Sequence, residues 1–433
     1  MEGTSVSMTN DYKVSGTVQK VYASLQASDQ VQRGITFLAD DHQSTVSDQI
    51  NINEVPAPSF HEKARAQYYR ERLEALGLAE VREDSEGNVF GVYKGTGDGP
   101  SIFVSAHLDT VFAEGTDVTV HEKDGRLYAP GIADNARGLA AILSVLRALK
   151  ETNIKTVGDI VFGGDVGEEG LGDLRGVKAF FRENRDIDGY IAVDGVKEQI
   201  ITYMATGSRR YEITYRGSGG HSWNAFGLPS AIHALGRAIA KIGEVQTPAQ
   251  PKTTFTVGTI TGGTSVNSIA AEASMLLDLR SASEEELKKL ETAVMALLDE
   301  AATEENARWN SSDIKVDIKL VGDRPAGQQA PDANIVQAAW AATEAVGMVP
   351  EFGPASSTDA NLPMSLGIPA IRLCGGGTEA HNHSLNEWYD PTNGYRGPQK
   401  IFLTLLGLVG VAGLTEPLLL KRGGTPGRSD AVG

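Results

Sequence analysis

Three short apolar runs, SIFVSAHLD, DIVFGGDVGEE and GYIAVDG, are rich in β-branched residues, and each stops abruptly. Continuous apolar runs of that length predict central strands of a mostly parallel sheet, covered on both faces. Between the first two, DNARGLAAILSVLRALK carries its apolar residues at helical spacing, with Asp134 or Asn135 placed to cap the helix start. The pattern is a strand, helix, strand crossover. Upstream, HEKARAQYYRERLEALGL reads as a charged amphipathic helix, followed by a turn at Gly87 and Asn88.

From about Ser208 to Val321 the rhythm changes. It reads strand (RRYEITYRG), helix (SAIHALGRAIAKIGEV), strand (TTFTVGTI), strand (ASMLLDLRS), helix (EEELKKLETAVMALLDEAATEEN), strand (DIKVDIKLV). That order predicts an inserted α+β sandwich of the ferredoxin-like type. After a hinge at DRPAG, the helix NIVQAAWAATEAVGM and the strand PAIRLCGG return to the α/β pattern. The expected organisation is a larger α/β domain in two parts, 1–207 and 324–422, an insert over 208–323, and a disordered tail over 423–433. The Ser/Thr-rich N-terminus also reads as disordered.

Length agrees with two domains, since 433 residues exceed the roughly 250 to 300 at which one core stops growing. Acidic residues outnumber basic ones, 56 to 39, for a formal charge of -17. This disfavours nucleic acid or an anionic membrane as partner. The longest apolar stretch, Ile401 to Leu414, is shorter than the roughly 20 residues of a membrane span and reads as a buried helix. The opening MEGTSVSMTNDYK lacks the charged and apolar regions of a secretory signal. Cys374 is the single cysteine, so no intramolecular disulfide forms and any metal site must use His and carboxylates. A cytoplasmic location is expected.

The chemistry lies where the strands stop. Loops at the carboxyl ends of parallel strands aim side chains at a common point. The first run delivers His107 and Asp109, two apart and on one face if the strand persists. The second delivers Glu168 and Glu169, the third Asp194; Asp134 opens the intervening helix and His383 stands in EAHNHSLNEWYD. Two imidazoles and three carboxylates are enough for two divalent ions that share one bridging carboxylate. Zinc accepts such ligands and leaves room for a water of lowered pKa. Of the adjacent glutamates only one need ligate, and the other is free to act as a base. Asp109 suits a supporting role, its carboxylate accepting a hydrogen bond from the far nitrogen of His107.

The runs SAHLDTV, GIADNARGLAA, GEEGLGDLRG, VDG, SGGHSW, GGTSVNSIAAEASMLLDLR, SSTDANLPMSLGIPA and HNHSLNEW resemble the cocatalytic zinc family of aminoacylase, succinyl-diaminopimelate desuccinylase, glutamate carboxypeptidase and peptidase T. The resemblance runs from about Asn53 to Tyr389, and GEEGLGDLRG and SSTDANLP are nearest in texture to peptidase T-like tripeptidases. It implies a zinc-peptidase catalytic domain with an inserted lid and dimerisation domain. His107 and Asp194 would hold one zinc, Glu169 and His383 the other, with Asp134 bridging and Glu168 as general base. The family interval, a ligand histidine four positions before a glutamate, selects His383 before Glu387 over the fallback His381. The resemblance also implies His221 as an oxyanion donor, often supplied across a dimer interface, and Asn267 with Arg280 as the pair that grips a substrate carboxylate.

The function expected is metal-dependent hydrolysis of short peptides from a free amino end by a cytoplasmic homodimer that joins through its lid. Two Zn2+ are the expected cofactors, with Mn2+ or Co2+ tolerated by similar ligands. Deacylation of N-acyl amino acids is the alternative within the same chemistry, and a non-catalytic metal-binding protein is the remote one. Glu168 argues against the last, because a pure binder has no use for an unligated acid beside the metals.

Overall fold

The computed structural model describes residues 12–422. The chain divides into two compact units, one of residues 1–205 with 328–433 and the other Thr206–Gly327.

The larger unit is built on a six-stranded sheet of β1 (Ala79–Glu83), β2 (Val89–Tyr93), β3 (Ser101–His107), β4 (Asp159–Asp165), β5 (Gly189–Val193) and β6 (Ala370–Leu373). Its order is β1-β2-β4-β3-β5-β6. The four strands from β4 to β6 run parallel, while β1 and β2 are antiparallel additions at one edge. The three apolar runs are therefore neighbours, with β3 between β4 and β5.

Side chains alternate along β3. Ile102, Val104 and Ala106 enter the core shared with helix α5 (Ala136–Thr152), and Phe103 enters a second core on the opposite face with Phe180 of α6 (Arg175–Glu183). The Phe103 and Phe180 rings stack at 3.8 Å between centroids. Of the apolar stretch Ile401 to Leu414, the part to Val409 belongs to helix α8 (Arg396–Val409), buried from Gly397 onward with α7 (Asn334–Ala345) packed against it, and the rest is bridge and turn. No helix among the described residues is long and apolar enough to cross a membrane.

The disorder expected of the Ser/Thr-rich start and of the tail falls on residues outside those described. Residues 1–11 lie outside the described residues, as does the tail 423–433, but the chain between forms α1 (Gly16–Ala27), α2 (Asp29–Asp40) and α3 (His42–Asn53), followed by α4 (Lys63–Ala75). Serines cap the first two helices, for Ser15 and Ser28 accept the main-chain N–H groups of Val18 and Val31. Asp41 and Asp48 grip Arg147 of α5 at 2.6 and 2.5 Å, which fastens these helices to the core.

Thr206–Gly327 has the expected ferredoxin-like form. Strands Gly207–Arg216, Thr253–Gly262, Glu272–Ser281 and Lys315–Arg324 make one antiparallel sheet in the spatial order second, third, first, fourth. Helices Ala231–Gly243 and Glu284–Arg308 share one core with it, filled by Ile213, Leu277, Val294 and Leu298.

Replacing the fully buried Phe103 by Ala removes the ring between the sheet and α6. Chemical denaturation should show the larger unit less stable by about 3–5 kcal/mol; a loss below about 1 kcal/mol would mean that this contact is not structural.

Candidate metal centre

The parallel alignment of β4, β3 and β5 puts their carboxyl ends side by side, with His107 directly opposite Asp165 in register. The turns that follow then carry Glu168 and Glu169 after β4 and Asp194 after β5. Asn135 caps α5, its side chain accepting the Gly138 N–H and donating to the Val193 carbonyl at 2.9 Å. Asp134 is thus free of the cap, and the second bond ties the helix start to the end of β5.

The freed carboxylate lies between two imidazoles. Asp134 Oδ1 is 3.1 Å from His107 Nε2, and Oδ2 is 3.1 Å from His383 Nε2. His383 Nε2 is also 3.0 Å from Glu169 Oε1. Donor atoms of His107, Asp134 and Asp194 lie within 4.8 Å of one another, and so do those of Asp134, Glu169 and His383. Two overlapping groups thus share Asp134. His107 with Glu168 and Glu169 makes a third such group, and His381 belongs to none. Two donors each about 2.0–2.2 Å from a tetrahedral ion stand about 3.3 Å apart, close to the nitrogen-to-oxygen separations here. Spacing and donor chemistry both fit a pair of divalent cations.

Burial opposes charge on His107, but its hydrogen bond to Asp134 and the charges of Asp134, Glu168 and Asp109 outweigh it and hold the imidazole well above its usual range. Hydrogen bonding to Asp134 and Glu169 pushes His383 up to about 10 against burial. Burial resists ionisation of Asp134, yet the two imidazoles draw its carboxyl well below the ordinary value. The carboxylates around both imidazoles thus favour positive charge at the centre.

Asp109 requires a correction. Strand β3 ends at His107, and His107 Nδ1 donates to the main-chain carbonyl of Asp109 at 2.9 Å, while the carboxylate stands off at 3.7 Å. The carboxylate instead accepts the main-chain N–H groups of Glu168 and Glu169, each at 3.0 Å, and the Ser59 hydroxyl at 2.7 Å. Asp109 therefore orients the Glu-Glu turn by its side chain and His107 by its backbone.

Glu387, which the sequence offered only as an interval marker, has a comparable task. Its buried carboxylate accepts main-chain N–H groups from Gly131, Ala133 and Asp134 at 2.9–3.1 Å, fixing the loop that presents Asp134. Burial raises its carboxyl to about 7 despite these bonds. Arg372 Nε, 3.5 Å from Asp194 Oδ2, also went unmarked in the sequence. So did the buried pair Asp165 and Asp359, both carboxyls raised chiefly by burial, of which the second comes from SSTDANLP.

The remaining expected residues belong to the ferredoxin-like unit. His221 pairs with Ser268 beside Asn267, and its Nδ1 accepts the Trp223 N–H at 3.2 Å, leaving Nε2 as an exposed donor. Arg280 sits at the far end of strand Glu272–Ser281, opposite Ser208, with its Nε bonded to Asp278 at 2.6 Å. From Ala273 to Arg280 the strand advances seven residues, or about 24 Å at the usual rise. Asn267 lies beside His221, in the turn before that strand, and Arg280 near the strand's other end.

Two outcomes follow. Loading the metal-free protein with zinc at pH 7 should release about two protons per chain, since both raised imidazoles must lose theirs to ligate; calorimetry in buffers of different ionisation enthalpy measures this, and release below about 0.5 contradicts the assignment. Asp109→Ala, which unties the Glu168 and Glu169 amides, should lower metal affinity or turnover about 10–100-fold; unchanged values for both would deny it the supporting role.

Comparison with known proteins places this geometry. Uncharacterized protein YqjE of Bacillus subtilis is 27% identical over 353 residues, 77% of this chain and 90% of its own. Succinyl-diaminopimelate desuccinylase of Nitrosospira multiformis is 25% identical over 361 residues, 78% of this chain and 91% of its own. The crystal structure of aminopeptidase PepT from Bacillus cereus superposes with a TM-score of 0.68 at 25% identity, covering 84% of this chain and 97% of that one. The profile of peptidase family M20/M25/M40 matches residues 103–406, well over half of the chain and inclusive of every side chain of the metal centre. The chain is a hydrolase that belongs to peptidase family M20/M25/M40.

Proposed function

We propose that the chain is a zinc-dependent aminopeptidase of di- and tripeptides. The observation that carries this reading is the Asp134 carboxylate, one oxygen to each of two imidazoles that belong to different donor groups. His107 and Asp194 would hold one cation and Glu169 and His383 the other, with Asp134 common to both. When bound, the pair supplies Lewis-acid activation of the scissile carbonyl and of the attacking water.

The chain's own groups supply the rest. Glu168, 6% exposed and with its amide pinned by Asp109, takes the proton from water and returns it to the departing nitrogen. His221 Nε2–H donates to the oxyanion. Arg280 and Asn267 receive the substrate carboxylate; because they stand toward opposite ends of the strand Glu272–Ser281, the reading has them act from two copies of a homodimer joined through the ferredoxin-like unit. The peptide reading is supported by the likeness to PepT. The likeness to a desuccinylase over 78% of the chain favours, as second reading, hydrolysis of N-acyl amino acids.

Tri-alanine and N-acetyl and N-succinyl amino acids, assayed side by side on the zinc-loaded protein, separate the readings: peptide turnover supports the first, and deacylation with inert peptides replaces it by the second. Glu168→Gln should lower kcat about 10²–10⁴-fold with metal content unchanged; full activity in this variant would remove Glu168 from the mechanism. His221→Ala should lower kcat about 10²–10³-fold, and mixing it with Glu168→Gln should restore part of the activity if His221 acts across the dimer.

A further inference from the structure

Soluble proteins seldom gather large apolar side chains in water without a use for them. Among the described residues of the larger unit, seven are exposed: Phe60, Val111, Leu171, Val349, Leu385, Leu414 and Leu420. Four of them adjoin the metal centre in the chain. Phe60 follows Ser59, Val111 stands two residues after Asp109, Leu171 two after Glu169 and Leu385 two after His383.

Their neighbours are fastened to one another. Ser59 Oγ donates to Asp109 Oδ2 at 2.7 Å, the Asp109 carboxylate accepts the Glu169 N–H at 3.0 Å, and Glu169 Oε1 is 3.0 Å from His383 Nε2. Each of the four exposed residues therefore lies one or two positions from a residue of this network, consecutive Cα atoms being only about 3.8 Å apart. Phe60, Val111, Leu171 and Leu385 are 59%, 39%, 58% and 69% exposed.

Phe60 is held in place. It adopts φ of 73°, a left-handed conformation that a bulky residue takes only under constraint. Its N–H donates to Glu62 Oε1 at 3.0 Å, and the Arg175 guanidinium, itself bonded to Glu62 at 2.7 Å, covers the ring at 5.3 Å. A ring so fixed is a preformed apolar wall beside a centre composed of carboxylates and imidazoles. The centre can handle the amide, but it offers nothing to a hydrocarbon side chain; the rim does.

We infer that Phe60, Val111, Leu171 and Leu385 form a specificity rim that selects substrates with a large apolar side chain beside the bond to be cleaved. The inference deepens the peptidase reading and rests on it for the class of substrate. Its occupant is a side chain of the substrate, argued from continuity of all four loops with the centre.

The test uses the zinc-loaded full chain and tripeptides X-Gly-Gly and Gly-X-Gly, with X as Leu, Phe, Ser or Asn, beside the corresponding N-acetyl-X amino acids. At one of the two positions kcat/KM for Leu or Phe should exceed that for Ser or Asn at least about tenfold, the scale of a few methylenes in an apolar pocket. Leu171→Ser combined with Leu385→Ser, both exposed and so compatible with folding, should bring the Leu-to-Ser ratio down about threefold or more, mainly through KM, at unchanged metal content. A wild-type ratio near one overturns the rim, as it would if protein covered these side chains, and so does a ratio that the double variant leaves unchanged. If peptides are inert while N-acetyl-Leu is hydrolysed at least tenfold faster than N-acetyl-Ser, the peptidase reading fails and the rim stands.

Discussion

One carboxylate between two imidazoles is the constraint on which the site depends. Asp134 has two oxygens and gives one to His107 and the other to His383, residues 276 positions apart in the chain. Each requirement for that placement is met by a separate device. The parallel register of β3, β4 and β5 brings the strand ends together. Asn135 takes over the capping of α5, so the aspartate before it need not. Glu387 accepts the N–H groups of the Asp134 loop and fixes its path.

A recurring economy runs through the centre. The acids that could hold cations are surrounded by acids that hold backbone: Asp109 under the Glu168–Glu169 turn, and Glu387 under the Asp134 loop. Buried carboxylates that accept main-chain N–H groups are rigid supports, and rigidity is what a metal site needs if its donors are to keep their spacing. The same arrangement concentrates negative charge, which is why both imidazoles are held above their usual range. Phe60, Val111, Leu171 and Leu385, each one or two positions from a residue of this network, are exposed.

Much of this was legible in the sequence, for identifiable reasons. Apolar runs that stop at His107, at the Glu168–Glu169 pair and at Asp194 mark strand ends, and strand ends in a parallel sheet converge; hence the expected donors do come together, His383 rather than His381 among them. The alternation of elements over 208–323 likewise specified a ferredoxin-like sheet. What pattern does not encode is main-chain partnership. Nothing in the spelling of Asp109 says that its carboxylate faces two amides while its carbonyl serves His107. Nor does the thirteen-residue interval from Asn267 to Arg280 say that most of it is extended strand, with the two residues toward its opposite ends. The helices over 16–53 carry no run that stands out in the sequence, and their serine caps depend on position more than on composition.

The central claim is that Asp134 bridges two cations. The most direct measurement is a crystal structure of the zinc-loaded protein with anomalous differences collected on both sides of the zinc absorption edge. Two peaks about 3.5–4 Å apart, one on each side of the Asp134 carboxylate, are expected; a single peak, or two that do not share this residue, would contradict the account.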